Sequence, residues 1–282
     1  MKTSLIIPST EYHFHHMNWI LRCYEQGTVK PDEIIVSVSN SHMIPKNDIR
    51  LINDKFKKSF DSLKILEHTK PIPEGPNRGE GTLVASNEII TYSDSDDIPH
   101  PQRIEIIKYF FSKYDILHLN HTWTYDKNFH NCKFQCDKIK YMESDNIFSL
   151  YFPAQKNLEQ KDRIRKNRPN PKEVPSRPPG CNPWYGEGPW NWSRESLDKL
   201  TYRRSFMITG GSLSILKDVC NKIEWVWKKN IEYDYDFCMD TLFYFNKSMF
   251  IECPLIWYNR RHEQLVNFQE KPIDIAEAVW AK

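Results

Sequence analysis

The chain has 282 residues, of which 39% are hydrophobic and 27% charged, so it can bury a large core and is not disordered as a whole. Its 39 basic residues nearly balance 37 acidic ones, and the net charge of +2 excludes nucleic-acid binding by overall charge alone. No run approaches the roughly 18 apolar residues of a membrane span, and the amino terminus lacks a signal-peptide pattern. Seven irregularly spaced cysteines favour reduced thiols and a cytoplasmic location.

The first 125 residues alternate strand-like with helix-like segments. Short apolar runs predict strands at 4–8, 33–38, 63–66, 88–93 and 115–124. Apolar residues near helical spacing predict helices at 11–26, 45–60 and 101–113. This alternation is typical of an α/β fold with a mostly parallel central sheet flanked by helices.

The alternation stops after about residue 150. Residues 154–188 are rich in Pro, Lys, Arg and Asn without apolar periodicity, which predicts a loop. Beyond the loop, the pattern predicts strands at 206–209 and 249–258 and helices at 212–223, 236–245 and 273–280. We therefore expect one domain, 1–282, with an insert rich in Pro, Lys and Arg.

The most informative segment is an apolar strand that ends in an acidic cluster, Asp94-Ser95-Asp96-Asp97. Ligands of open α/β sheets bind outside the carboxyl ends of the strands. Several carboxylates held together there favour a cation, and a hard divalent cation takes oxygen ligands. Asp94 and Asp96 are therefore predicted to bind a metal that bridges to a diphosphate. Alternatively, the cluster caps the next helix, with Asp97 favouring its dipole.

This segment resembles the metal-binding D-x-D segment of GT-A glycosyltransferases, especially the inverting family 2. The family pattern is A-x-G-[DE]-x-I-x-[FY]-x-D-x-D-D, and here Ala85, Glu88, Ile90 and Tyr92 lead to the cluster. Asn77-Arg78-Gly79 resembles the family's R-N-x-G-like start of the preceding helix, while Asn87 stands where glycine is usual. His100-Pro101 and Arg103 match a common continuation of the motif.

Both ends of the chain extend the resemblance. The opening SLIIPST resembles the family's first strand, after which residues line the nucleotide pocket. Where the family has an aspartate that contacts the base, this chain has Ser39-Asn40, which leaves the preferred nucleotide open. Gly210-Gly211 resembles the family's "GG" before the acceptor-side helix. Met239-Asp240 resembles the "E-D" box that carries the general base, and His262 stands where the family places a metal ligand.

The resemblance implies metal-dependent transfer of a sugar, with inversion, from a nucleotide-sugar to a hydroxyl of a glycan, glycoprotein or lipid-linked acceptor. A UDP-sugar is favoured, with a GDP-sugar as the alternative. It implies a nucleotide-sugar-binding half at 1–125, a variable insert at 126–200 and an acceptor-binding half at 201–282.

It also implies roles for individual residues. The implied nucleotide-sugar contacts are Pro8, Ser9, Thr10, Ser39, Arg78, Asp94 and Ser95. The implied ligands of Mn²⁺ or Mg²⁺ are Asp94, Asp96 and His262. Asp240 is the implied base, with Asp236 as rival and Asp234 as a weaker third. The implied acceptor contacts are Trp184, Tyr185, Trp190 and Gly211, because aromatic faces stack on sugar rings.

Other readings stay open. A haloacid-dehalogenase-like phosphotransferase also has D-x-D after a strand, but that strand is normally the first of its fold. A sugar nucleotidyltransferase would need a Gly-rich phosphate loop near the amino terminus, and residues 8–11 contain no glycine. Zinc binding by His118, His121, Cys132 and Cys136 is disfavoured, because residues three apart on a strand face opposite sides. A non-catalytic carbohydrate-binding protein is a further alternative. A nucleic-acid-binding protein is another, although no nucleic acid is expected.

Overall fold

The computed structural model describes most of the amino-terminal half and selected parts of the remainder. The described residues are 1–124, 127–143, 210–220, 222–223, 225, 237 and 247–257. Within them, nine strands form one sheet: β1 (Thr3–Thr10), β2 (Glu33–Ser39), β3 (Leu63–Glu67), β4 (Ile89–Tyr92), β5 (Ile98–Pro99), β6 (His118–Thr124), β7 (Tyr141–Glu143), β8 (Leu213–Leu216) and β9 (Ser248–Trp257). The helices are α1 (Met17–Glu25), α2 (Lys46–Phe56), α3 (Glu74–Val84), α4 (Arg103–Lys113) and the one-turn α5 (Lys217–Cys220).

The sheet places the ends of β1 and β4 beside each other. Its strand order is β3-β2-β1-β4-β8-β6-β9-β5, with β7 paired to β9. Strands β3, β2, β1 and β4 are parallel, so their carboxyl ends share one edge. Strand β8 is antiparallel to both of its neighbours, β4 and β6. The predicted parallel α/β arrangement thus holds for the first four strands, whereas the rest of the sheet is mixed, with β6 parallel to β9 and the other pairs antiparallel.

Two apolar clusters hold helices against the sheet. One packs α1 and α2 against β1 and β2, and the other packs α4 against β4, β6 and β9. The side chains of α4 that enter this cluster are Ile106, Ile107, Phe110 and Phe111. Their helical spacing explains why the sequence pattern located this helix. Within the described ranges, no helix has the length and apolar character needed to cross a membrane.

Some elements predicted from the sequence differ from those in the structure. The helix predicted at 212–223 is wrong, because Leu213–Leu216 forms β8 and only Lys217–Cys220 is helical. The Asn77-Arg78-Gly79 segment lies inside α3, which begins earlier, at Glu74. Asp97 does not cap α4, which begins at Arg103 after the short strand β5. The elements predicted at 206–209 and 273–280, nearly all of 236–245 and the loop at 154–188 lie outside the described residues.

Helix α3 contacts β1 closely because of a glycine. A Cβ atom added at Gly81 would lie 2.5 Å from Ile6 Cγ2. A Cβ atom added to Gly79, two residues earlier on the same helix, would lie 3.5 Å from Trp225 Cβ, an ordinary van der Waals distance.

These distances predict opposite effects of two alanine substitutions. Gly81→Ala should lower the free energy of unfolding by about 1–3 kcal/mol, because the methyl group overpacks the interface with Ile6. Gly79→Ala should raise it by up to about 1 kcal/mol, because alanine favours the helix and fits. Urea unfolding followed by circular dichroism measures both, and stabilisation by Gly81→Ala would contradict the packing described here.

Candidate active site

The acidic cluster lies at the centre of the sheet edge where the parallel strands end. Asp94 and Asp96 follow β4 and are half-buried, whereas Ser95 and Asp97 are buried. The Ser93 amide donates to the carbonyl of Ile6, which keeps β4 beside β1 up to the start of the cluster. The arrangement matches the prediction that these carboxylates stand where α/β sheets bind ligands.

Arg78 fixes the position of Asp94. The Arg78 side chain is fully buried, and its Nη2 donates to Asp94 Oδ1 and, at 2.5 Å, to Glu74 Oε1. The side chain of Asp94 is 16% exposed and that of Glu74 is 55% exposed, so Asp94 supplies the more buried of these two counter-charges. A buried guanidinium needs such a partner. The family resemblance implied that Arg78 contacts the nucleotide. The sequence did not predict its pairing with Asp94 and Glu74.

Gly211 lies close to Oδ2, the second carboxylate oxygen of Asp94. A Cβ atom at Gly211 would lie 2.7 Å from Asp94 Oδ2, so only glycine allows the carboxylate its present position. Gly211 belongs to a 3-10 turn at Gly210–Ser212 that leads into β8. The sequence resemblance assigned Gly211 to the acceptor side, and the structure places it directly against the acidic cluster.

Arg103 links the turn at Gly210–Ser212 to the end of β4 by hydrogen bonds. Its Nη2 donates to the carbonyls of Tyr92 and Gly211, and its Nη1 donates to Tyr24 Oη at 2.5 Å. The Arg103 side chain is fully buried. It therefore joins α1, the end of β4 and the turn that contacts Asp94, which gives a physical reason for arginine at this position of the motif.

Asn77 holds the ends of β1 and β2 together. Its Nδ2 donates to the carbonyls of Ser9 and Ser37, at 3.1 and 3.0 Å, and its Oδ1 accepts from Ser37 Oγ at 2.6 Å. Asn77 is 1% exposed, so these hydrogen bonds satisfy a buried amide. The Asn-Arg pair of α3 is thus divided in function, since Asn77 joins two strands and Arg78 positions Asp94.

The residues expected to contact the nucleotide base already have protein partners. Ser39 is 3% exposed, and its Oγ accepts from the Ile72 amide at 2.7 Å. Asn40 adopts a left-handed backbone conformation, with φ of 57°, and its Nδ2 donates to Glu11 Oε1 at 2.9 Å. Both side chains shape the loop after β2, and a role for Ser39 in base recognition stays a prediction.

The remaining nucleotide candidates end β1. Pro8, Ser9 and Thr10 pair with β2 at Ser37, Val38 and Ser39. Ser9 is buried, and its Oγ donates to the carbonyl of Thr10 at 3.3 Å. The Thr10 hydroxyl has no hydrogen-bond partner among the described residues.

Part of the expected metal site can be compared with the structure. The described residues contain no group of three or more His, Cys, Asp or Glu side chains placed to hold a metal ion. Asp94 and Asp96 both follow β4 at this edge, and Asp94 pairs with Arg78. Hard oxygen donors of this kind suit Mg²⁺ or Mn²⁺ when diphosphate and water complete the shell. The expected ligand His262 lies outside the described residues, as do Asp234, Asp236, Asp240, Trp184, Tyr185 and Trp190.

His118, His121 and His100 are structural. His118 and His121 are fully buried on β6, three residues apart and therefore on opposite faces, which is incompatible with one metal site. His100 is also buried, where its Nδ1 accepts from the Gln102 amide and its Nε2 donates to the carbonyl of Cys132. Burial lowers the pKa of His100 to about 4 and that of His118 to about 3, so both are neutral.

An aromatic pair, Trp225 and Phe237, lies beside Arg78. The Trp225 ring lies under the Arg78 guanidinium, with 5.4 Å from Cζ to the ring centroid. It stacks on Phe237 at 4.0 Å with an interplanar angle of 4°. Neither ring was recognised as part of the site from the sequence, because the contact joins segments that are distant in the chain.

Comparison with known proteins gives similarity in fold without close sequence relatives. No protein-family model matches the sequence, and no curated protein is significantly similar to it. The crystal structure of S. aureus TarS 1–349 in complex with UDP-GlcNAc matches 99% of this chain with a TM-score of 0.54 and 13% identity. The complex of TarS 1–349 with UDP gives a TM-score of 0.52 at 11% identity over 98% of this chain. A mycobacterial protein gives a TM-score of 0.51 at 10% identity, with 99% of this chain and 74% of that chain covered.

The chain spans 65–66% of the length of TarS 1–349. At these identities the likeness concerns the fold. It confirms the α/β architecture of the GT-A type that was expected from the sequence.

Proposed function

We propose that this chain is a glycosyltransferase that moves a sugar from a nucleotide-sugar to an acceptor hydroxyl, with a divalent cation at Asp96 and Asp94. The observation that carries the proposal is the position of Asp94. It lies at the carboxyl end of β4 between Arg78 and Gly211, in a fold shared with a protein crystallised with UDP-GlcNAc. A UDP-sugar is the favoured donor and a GDP-sugar the alternative.

The two aspartates have different roles in this proposal. Asp94 Oδ1 accepts a hydrogen bond from Arg78, and Asp94 Oδ2 lies close to Gly211. The D-x-D resemblance then assigns Asp94 to the nucleotide-sugar as well as the cation, and Asp96 to the cation alone, Mn²⁺ or Mg²⁺. Asp94 and Asp96 would hold the cation there, and it would supply positive charge against the charge that develops on the leaving diphosphate.

The acceptor half of the reaction is carried over from the family resemblance. A carboxylate near the acceptor hydroxyl takes its proton as the bond to the anomeric carbon forms, and we assign this to Asp240 with Asp236 as rival. A single displacement by that hydroxyl inverts the anomeric centre. Trp184, Tyr185 and Trp190 are proposed to stack on the acceptor sugar, and His262 to complete the metal shell. Residues 1–125 then bind the donor and 201–282 the acceptor, within one domain.

Calorimetric titration of UDP, UDP-GlcNAc and GDP-mannose, with Mn²⁺ and with EDTA, tests the proposal. We expect one of the nucleotide families to bind only with Mn²⁺. Gly211→Ala should weaken that binding by at least about tenfold, or ~1.4 kcal/mol, because the new methyl group displaces the Asp94 carboxylate.

Gly79→Ala is the matched control, because its methyl group fits beside Trp225, and it should bind normally. If none of the three ligands binds to the folded protein in the presence of Mn²⁺, the proposal is refuted. The phosphotransferase reading would then be tested next, by assaying hydrolysis of phosphate esters.

A further inference from the structure

A row of polar side chains runs along the carboxyl ends of the parallel strands. Asn77 joins the ends of β1 and β2, and its Oδ1 accepts from Ser37 Oγ at 2.6 Å. Ser37 Oγ also lies 3.0 Å from Nε2 of His68, the residue that directly follows β3. Arg78, next to Asn77 in α3, pairs with Asp94 at the end of β4. The row therefore leads from Asp94, past the ends of β1 and β2, to His68.

The hydrogen bonds of this row fix the tautomer of His68. The amide of Asn77 is oriented by the two bonds that its Nδ2 donates, to the carbonyls of Ser9 and Ser37, so its Oδ1 is an acceptor. The hydroxyl of Ser37 has one hydrogen, and that hydrogen is donated to Asn77 Oδ1. The Ser37 oxygen therefore accepts from His68, whose Nε2 carries the proton and whose Nδ1 is an acceptor in the neutral ring.

The backbone of His68 is held in place as well. Its amide donates to the carbonyl of Val38 at 2.9 Å, and its carbonyl accepts from the Ser41 amide at 2.9 Å. The His68 side chain is half-buried, and its Nδ1 has no hydrogen-bond partner in the described part of the chain. His68 thus presents one unused acceptor in a fixed orientation at the carboxyl edge of the sheet. A few polar groups placed in this way give a ligand site its specificity.

We propose that His68 Nδ1 selects the nucleotide base by accepting a hydrogen bond from a ring N–H, which uracil presents at N3 and guanine at N1. The inference rests on the proposed function, in which the diphosphate lies at Asp94. Strands β4, β1, β2 and β3 are successive neighbours, so β3 lies about 14 Å from β4. An extended nucleoside diphosphate at Asp94 then places its base near the ends of β2 and β3. The side chains of Ser39 and Asn40 already bind protein groups there, whereas His68 Nδ1 is open to a ligand.

The assignment predicts how small changes in the base alter affinity. Methylation of uracil N3 replaces the ring N–H with a methyl group and leaves His68 Nδ1 without its partner. Cytosine has a lone pair at N3 where uracil has the N–H. Both changes should weaken binding about tenfold, because a polar group that loses its hydrogen-bond partner in a site keeps the cost of its desolvation.

Calorimetric titration with matched nucleotides in the presence of Mn²⁺ tests the assignment. UDP should bind about tenfold more tightly than 3-methyl-UDP and CDP. His68→Leu removes the acceptor and should bring the affinities for UDP and 3-methyl-UDP to within about twofold of each other. His42→Leu, at an exposed histidine in the turn after β2, is the matched control and should keep the tenfold preference. If GDP is the nucleotide that binds, 1-methyl-GDP takes the place of 3-methyl-UDP.

The outcomes separate this inference from the proposed function. If a nucleotide binds with Mn²⁺ and its methylated form binds equally well to the unaltered protein, the role of His68 is refuted and the proposed function stands. If the preference persists in His68→Leu, another group recognises the base, and the inference is likewise refuted. The first comparison needs no variant, so it decides even if His68→Leu does not fold. If no nucleotide binds to the folded protein, both proposals fall together.

Discussion

Asp96→Asn is expected to lower turnover of the sugar nucleotide by about 10²–10⁴-fold. Stabilisation of a leaving diphosphate by a divalent cation is worth several kcal/mol, and each 1.36 kcal/mol corresponds to a factor of ten. Asparagine keeps the shape of the side chain and one oxygen but loses the negative charge. The Mn²⁺ concentration needed for half of the maximal rate should rise at least about tenfold as a consequence.

The measurement is release of UDP or GDP as a function of Mn²⁺ concentration. Asp115→Asn is the control, since that carboxylate is 82% exposed and pairs with Lys247 just before β6. It should retain the rate and the Mn²⁺ dependence of the unaltered protein. A rate within twofold of normal for Asp96→Asn, with the same Mn²⁺ dependence, would contradict the assignment of Asp96.

The Asp94 carboxylate is restrained by contacts within the protein. Arg78 is fully buried and donates to Asp94 Oδ1, so the ion pair restrains the Asp94 carboxylate, and glycine at position 211 leaves room for Oδ2. Such restraint reduces the reorganisation needed when charge develops at the site. It also means that loss of Asp94 would leave the guanidinium of Arg78 without its more buried carboxylate partner, so that a variant of Asp94 changes stability together with activity.

How far the sequence predicts this fold depends on the length of the apolar runs. Strands β1, β2 and β9 and helix α4 carry long apolar or periodic patterns, and the structure confirms them. The run Leu213–Leu216 is only four residues long and precedes a helical turn, so local pattern does not separate strand from helix. Pairing with β4 and β6 decides in favour of a strand.

The same contrast applies to the candidate site. Asp94 and Asp96 are recognisable from the sequence because they follow an apolar strand directly. The restraints on Asp94 come from Arg78, 16 residues earlier, and from Gly211, 117 residues later. Trp225 and Phe237 reach the site through tertiary packing as well. Spacing in one sequence carries no signal for such contacts, whereas a motif on a single strand does.

The stability of the protein should fall steeply as the pH drops from 7 to 5. Burial lowers the pKa of His100 to about 4 and of His118 to about 3. Burial, followed by the charge of Arg103, also lowers the pKa of His121 well below its usual value. Each imidazole is neutral in the folded protein but protonates in the unfolded chain below about pH 6.5. The unfolded state therefore binds more protons, and His100 and His118 should each cost roughly 2 kcal/mol of unfolding free energy at pH 5.

Urea unfolding at pH 7 and pH 5 measures this loss, and single variants locate its source. His118 contacts Ser248 Oγ and Asn120 Nδ2, both at 3.2 Å, so His118→Gln keeps polar atoms near these partners without a titrating group. Its stability should change less with pH than that of the unaltered protein, by roughly 2 kcal/mol between the two pH values. His42→Asn, at an exposed position, should leave the pH dependence as it is. Equal pH dependence in all three proteins would mean that His118 is not held neutral by burial in β6.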